Sequence, residues 1–159
     1  MSFSEIIPGL FVGDEEAAKL VFIPGGPPVS RVINCANELF NWEEWSGPFT
    51  NGQPSDVYIK IPLEDDGSPK DLQVFEDGFK AVVAFLGDVS IEDKPVLIHC
   101  AMGISRSASM AAAVMCHLNP NLTVDTAVSM IMSKRPVAFD GGTCQLYRPV
   151  LNKFFAKND

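Results

Sequence analysis

An α/β fold is what this chain predicts: one domain with a short, mostly parallel central sheet of four to five strands flanked by helices. Three observations carry that expectation. Short β-branched or apolar runs near 10–13, 31–36, 56–62 and 95–99 alternate with stretches of helical periodicity. The run ending at His99 leads through a tight loop straight into an Ala-rich helical segment. The 159 residues are 47% hydrophobic, enough for one substantial core, so the span 1–159 reads as a single domain.

Each element has its own local reason. Leu10-Phe11-Val12, Val32-Ile33 and Tyr58-Ile59 are the apolar hearts of the first three strands, and Val96-Leu97-Ile98 is that of the fourth. After Pro69, the residues Leu72, Phe75, Phe79, Val82, Val83 and Leu86 form a stripe at three- and four-residue spacing that stops near Gly87, a helix to pack on the sheet. Segment 105–118 carries Ala108, Ala111, Ala112 and Ala113, small residues suited to a central helix with close neighbours on several sides, and it is expected to be the most buried helix. Asn119-Pro120 breaks that pattern, and Thr123 is placed to cap the next helix, whose stripe is Val124, Ala127, Val128, Ile131 and Met132. Pro136 ends it. A last helix is expected near 145–156, with Pro149 forcing either a start close by or a kink. The connection from Asn37 to Ser55, with Trp42, Trp45 and Phe49, is long for its place. It reads equally as a surface for a partner or substrate and as a small satellite core.

The most informative stretch is His99-Cys100-Ala101-Met102-Gly103-Ile104-Ser105-Arg106-Ser107. It reads as a phosphate trap with a nucleophile inside it. Thiolate, not thiol, attacks phosphorus. The backbone N–H groups of a tight loop, the partial positive charge of a helix amino terminus and the Arg106 guanidinium all favour the anion at Cys100. The same donors match the oxygens of a phosphate, held by the loop 101–106 with Arg106 as a bidentate partner. Gly103 lets the loop bend.

Composition narrows the partners. A formal net charge of −8 argues against nucleic acid or an anionic membrane as the main ligand, and makes the phosphate site a local positive island where some of Arg31, Arg106, Lys134, Arg135 and Arg148 gather. No apolar run approaches the roughly 20 residues a membrane span needs, and Met1–Glu5 lacks a signal-peptide layout, so an intracellular setting is expected, cytoplasmic with the nucleus as the alternative. Cys35, Cys100, Cys116 and Cys144 show neither disulfide pairing nor metal-ligand spacing, so free thiols, no metal and no cofactor are expected.

A Cys, five residues, then Arg, preceded by His and followed by Ser, resembles the signature of the cysteine-dependent protein phosphatases, and within them the dual-specificity branch. The segments Leu10–Asp14, Val32–Glu38, Ile61–Asp66, Ser133–Pro136 and Gln145-Leu146 resemble that family's segments in the family's order. The resemblance implies hydrolysis of phosphotyrosine and phosphoserine/threonine monoesters on phosphorylated proteins through a phosphocysteine at Cys100. It implies Asp65 as general acid on a mobile Gly/Pro loop, with Asp66 the substitute; spacing alone also allows a solvated acidic turn. Ser107 is implied to assist departure of the sulfur, and His99 to shape the loop without acting as a base. Cys35 matches a position where some relatives carry a thiol that pairs with the nucleophile on oxidation; a small buried strand residue is the rival reading. Two alternatives stand beside the enzyme: a phosphopeptide-binding scaffold with weak turnover, and a phosphatase for a non-protein phosphate. Segment 137–144 departs from the family pattern, which often has Pro-Asn there, and leaves that wall of the site open.

Overall fold

The computed structural model describes residues 2–21, 23–39 and 57–155. Within them lies one five-stranded sheet: β1 (Phe3–Ile7), β2 (Leu10–Gly13), β5 (Val96–His99), β3 (Arg31–Asn34) and β4 (Tyr58–Lys60), in that spatial order. From β2 onward neighbouring strands run parallel, while β1 pairs antiparallel with β2. Side chains alternate between the two faces as period-2 strands require. Leu10, Val12, Ile33, Val96 and Ile98 enter the larger core; Phe11, Val32, Leu97 and Tyr58 enter a smaller one on the other face.

The helices follow the same division. The short α1 (Glu15–Lys19) contributes Ala18 to the smaller core. Residues of α2 (Pro69–Leu86), α3 (Arg106–Leu118), α4 (Val124–Lys134) and α5 (Arg148–Phe155) pack into the larger. Every residue of α3 from Arg106 to Cys116 is buried, as its run of small side chains foretold.

Three sequence expectations change. β1 was not expected, because Ser4 and Glu5 interrupt its apolar pattern; an edge strand needs only one neighbour and tolerates that. The α1 helix was not expected either, although Asp14 caps it by accepting the Ala17 N–H at 2.8 Å and Glu15 and Glu16 fill its first turn. The strand expected over 56–62 is confined to Tyr58–Lys60. Of the two outcomes expected for the last helix, the start close to Pro149 is the one found: it begins at Arg148, placing Pro149 in its first turn, where its missing N–H costs nothing. Most of the 37–55 connection, with Trp42, Trp45 and Phe49, lies outside the described residues.

Register sets the position of the site. Gly13, His99 and Asn34 lie level across the three central strands, so the carboxyl ends of β2, β5 and β3 form one edge. Ligands bind at such an edge in parallel sheets. Cys100 leaves the sheet there, from the middle strand.

Candidate active site

The loop from Cys100 to Ser105 is shaped from outside by its own carbonyls. Ala101 O accepts the Glu15 N–H at 3.1 Å, and Ile104 O accepts the Phe139 N–H at 2.6 Å. Arg135 takes the other two, donating from Nη2 to Met102 O at 3.1 Å and from Nε to Gly103 O at 2.7 Å. Because a trans peptide sets C=O and the following N–H on opposite sides, four outward carbonyls turn the N–H groups of residues 102–105 inward. None of those N–H groups donates to a backbone carbonyl among the described residues. Those N–H groups are thus left facing the interior of the loop, and Arg135 fastens it in a way that no local sequence signal announces.

Gly103 is required twice over. Its φ is +69°, and a Cβ there would lie 2.5 Å from Arg135 Nη2 and 2.7 Å from Gly13 O.

At the loop's start, Cys100 Sγ lies 3.2 Å from Ser107 Oγ, both in buried residues. His99 is fully buried, with Nδ1 3.4 Å from Cys100 O. Burial pushes its pKa down to about 4, against the opposing pulls of the Cys100 carbonyl and Asp14 and with added repulsion from Arg106. A ring that stays neutral at pH 7 fits a loop-shaping residue rather than a base.

At the loop's end, Arg106 is buried and forms a two-pronged ion pair with Glu38, Nη1 to Oε1 at 2.7 Å and Nη2 to Oε2 at 2.8 Å, while Nη1 also donates to Leu63 O at 3.0 Å. Burial alone would lower the guanidinium's pKa, but the Glu38 bond and the nearby Cys100 and Asp65 outweigh it and hold the pKa above the ordinary value. Arg106 in turn holds Glu38 below the usual carboxylate range. Arg106 Nε is buried with no hydrogen-bond partner among the described residues, the donor a phosphate oxygen would take.

A cleft of about 280 Å³ opens above the loop, lined by Asp65, Cys100, Ala101, Met102, Ile104, Ser105, Arg106, Asp140 and Cys144. Asp65 thus shares the cleft with Cys100. Asp66 does not line the cleft; its Oδ1 accepts the Ser68 N–H at 2.9 Å. The atypical 137–144 segment supplies the opposite wall, turning through positive φ at Phe139, Asp140, Gly141 and Gly142. Cys144, one of the expected free thiols, is part of that wall, with Sγ 3.7 Å from Ser105 Oγ.

The expected cluster of cations is smaller than the sequence suggested. Arg31 lies at the opposite edge of the sheet, donating to Leu86 O and Lys94 O. Arg148 is engaged with Asp125, Gln145 and Asn152. Lys134 lines a separate cavity with Ile6 and Thr126, so of the expected cations Arg106 and Arg135 are the two that serve the loop among the described residues. Cys35 ends up fully buried beside the nucleophile, its N–H donating to His99 O at 2.8 Å. Burial first, then the charge of Cys100, raises its pKa well above that of a free thiol.

A parallel sheet delivering a cysteine into an anion-binding loop, followed by an arginine at the head of a buried helix, defines a cysteine-nucleophile phosphatase. Comparison with known proteins names the branch. The family model "Dual specificity phosphatase, catalytic domain" matches residues 10–145. Mouse dual specificity protein phosphatase 13B is 32% identical over 143 residues, covering 87% of this chain and 67% of that protein. Mouse dual specificity protein phosphatase 14 is 28% identical over 137 residues, covering 84% of this chain and 61% of its own length. Among solved structures, a mouse putative dual specificity phosphatase complexed with zinc tungstate superimposes with a TM-score of 0.61 at 25% identity, covering 96% of this chain and 89% of that one. The chain belongs to the dual specificity phosphatase family and is a cysteine-dependent protein phosphatase.

Proposed function

We propose that this protein hydrolyses phosphotyrosine and phosphoserine/threonine monoesters in two steps at the Cys100 loop. In the first, Cys100 Sγ attacks phosphorus in line with the leaving oxygen; the S–P bond forms as the P–O bond breaks, and Asp65 gives its proton to the departing oxygen. In the second, water attacks the phosphocysteine, Asp65 takes the water's proton, and the S–P bond breaks to release inorganic phosphate. The inward N–H groups and Arg106 hold the equatorial oxygens in both. Ser107 donates to the sulfur as it departs.

The observation that carries this reading is the convergence of Asp65, Cys100 and Arg106 on one cleft. Asp65 is favoured over Asp66 because the latter's carboxylate is spent on the Ser68 turn. An apolar rim of Met102, 66% exposed, and Ile104 supports a peptide or aryl phosphate over a polyanion. Cys35, kept as a protonated thiol by burial, is assigned the protective role: peroxide oxidises the Cys100 thiolate to a sulfenic acid, and the Cys35 thiol displaces water to form the disulfide. Peptide mapping after mild peroxide that finds Cys100 as sulfinic acid, unpaired with Cys35, rejects that bond.

The main test is rapid acid quench with labelled phosphopeptide. Wild type should yield a phosphocysteine adduct at Cys100, and Cys100→Ser should bind phosphopeptide without turnover. Hydrolysis with no trapped adduct overturns the mechanism.

A further inference from the structure

The loop that carries Asp65 is tied down from below by two residues with no part in the chemistry described so far. Asp71, on the first turn of α2, is only 1% exposed, an unusual place for a carboxylate. Its Oδ1 accepts the Glu64 N–H at 2.8 Å. Its Oδ2 accepts the N–H groups of Asp66 at 3.1 Å and Gly67 at 3.2 Å, and the Tyr147 hydroxyl at 2.6 Å. That hydroxyl accepts the Asp65 N–H at 3.1 Å. Every backbone N–H from Glu64 to Gly67 is therefore held by one of two buried groups.

The pair is stiff and charged. Tyr147 has no exposed surface, and its ring stacks on Phe75 with centroids 4.8 Å apart, so the hydroxyl has one direction to point. Burial pushes the Asp71 pKa up, but the bonds from Tyr147, Glu64, Asp66 and Gly67 together outweigh it and leave it below the usual value. Asp65 sits at φ +66°, a left-handed conformation that a non-glycine residue keeps only when its surroundings hold it. The clamp also departs from an ordinary helix cap. Ser68 accepts the Asp71 N–H at 3.1 Å, but the Asp71 carboxylate reaches away to the acid loop instead of back to Ser68.

We propose that Asp71 and Tyr147 are positioning residues that fix the Asp65 carboxyl over the cleft for proton transfer to the leaving oxygen. The proposal rests on the reading of Asp65 as the acid. Tyr147→Phe removes one hydroxyl and keeps the ring stack. With phenyl phosphate, whose leaving oxygen needs a proton, kcat/KM should fall about tenfold; with 2,4-dinitrophenyl phosphate, which leaves as a stable anion, it should fall no more than about twofold. Adding Tyr147→Phe to Asp65→Asn should change neither rate further, because the hydroxyl acts through Asp65. Asp71→Asn should show the same leaving-group selectivity with a larger loss.

Equal losses on both esters, or a full additional loss in the Asp65→Asn background, overturn the proposal. Asp65→Asn separates the two claims. If it shows no leaving-group selectivity, the acid assignment itself falls; if it does and Tyr147→Phe does not, only the positioning pair falls. Hydrogen exchange on the unsubstituted protein keeps the question decidable should both variants misfold. The amides of Asp65, Asp66 and Gly67 should be protected about a hundredfold or more, and exchange at the rate of open loop amides removes the clamp.

Discussion

His99 makes the stability of this protein depend on pH in a way whose sign and size follow from its burial. The ring has no exposed surface, and its folded pKa is about 4 against 6.5 for a free imidazole. Between those values the unfolded chain binds a proton that the folded one refuses, so stability rises with pH across the window and is fully present above it. Taking pH down from about 7.5 to about 5 should cost about 2 kcal/mol through this residue alone. The carboxylates held below their ordinary values, Glu38 and Asp71, lose their contributions mainly at lower pH, so the window isolates the imidazole. Asp14 pulls the pKa up and Arg106 pushes it down, both smaller effects than burial. Urea unfolding at several pH values, on wild type and on His99→Asn, reads the slope rather than the level. Wild type should lose the ~2 kcal/mol and the variant should not, whatever its stability at pH 7.5. Equal slopes in the two proteins would mean the imidazole is protonated in the folded state, and the neutral, loop-shaping role would go with it.

Two further outcomes follow from the same loop. Ser107→Ala removes a hydroxyl 3.2 Å from the sulfur, and a hydrogen bond to a charged group contributes about 1.5–3 kcal/mol, so breakdown of the phosphocysteine should slow by roughly tenfold to a hundredfold. Stopped-flow with p-nitrophenyl phosphate should then show a burst close to one product per enzyme, and a slowed enzyme without a burst would place the serine elsewhere in the cycle. Gly103→Ala combines left-handed strain, about 1–2 kcal/mol, with a Cβ too close to Arg135 and Gly13, so it should lower the melting temperature and reduce kcat/KM more than tenfold; neutral behaviour in both assays would refute the packing argument.

The strand, loop and helix around Cys100 were legible because their signals are local. An apolar run, one glycine and a run of alanines lie within neighbouring residues, so each element is specified by its own stretch of chain. Glu38 was visible as part of a family-like segment but not as the partner of Arg106, because the two are 68 positions apart and nothing in either neighbourhood announces the pairing. Asp71 and Tyr147 are separated by 76 positions and were hidden for the same reason, although Ser68-Pro69-Lys70-Asp71 has the spacing of a capping box and drew attention only as a helix start. The positive-island expectation failed in the opposite direction. Charge counts treat arginines as available, whereas Arg31 spends its donors on backbone carbonyls at the far edge of the sheet.

How an acidic chain holds a phosphate follows from which donors are already committed. The Nη atoms of Arg106 are engaged by Glu38 and Leu63, and Arg135 faces the outside of the loop, so the full positive charge near the cleft is largely answered before substrate arrives. Asp140 lines the same cleft, and its carboxylate would repel a second phosphate. What is left to bind the first is a ring of neutral N–H dipoles, the α3 amino terminus and one guanidinium edge at Nε. Such a site is matched in geometry to a single phosphoryl group rather than in charge to a polyanion. That balance argues for monoesters on a peptide as the substrate class, and it makes the outward carbonyl bonds that shape the ring as important to binding as any charged side chain.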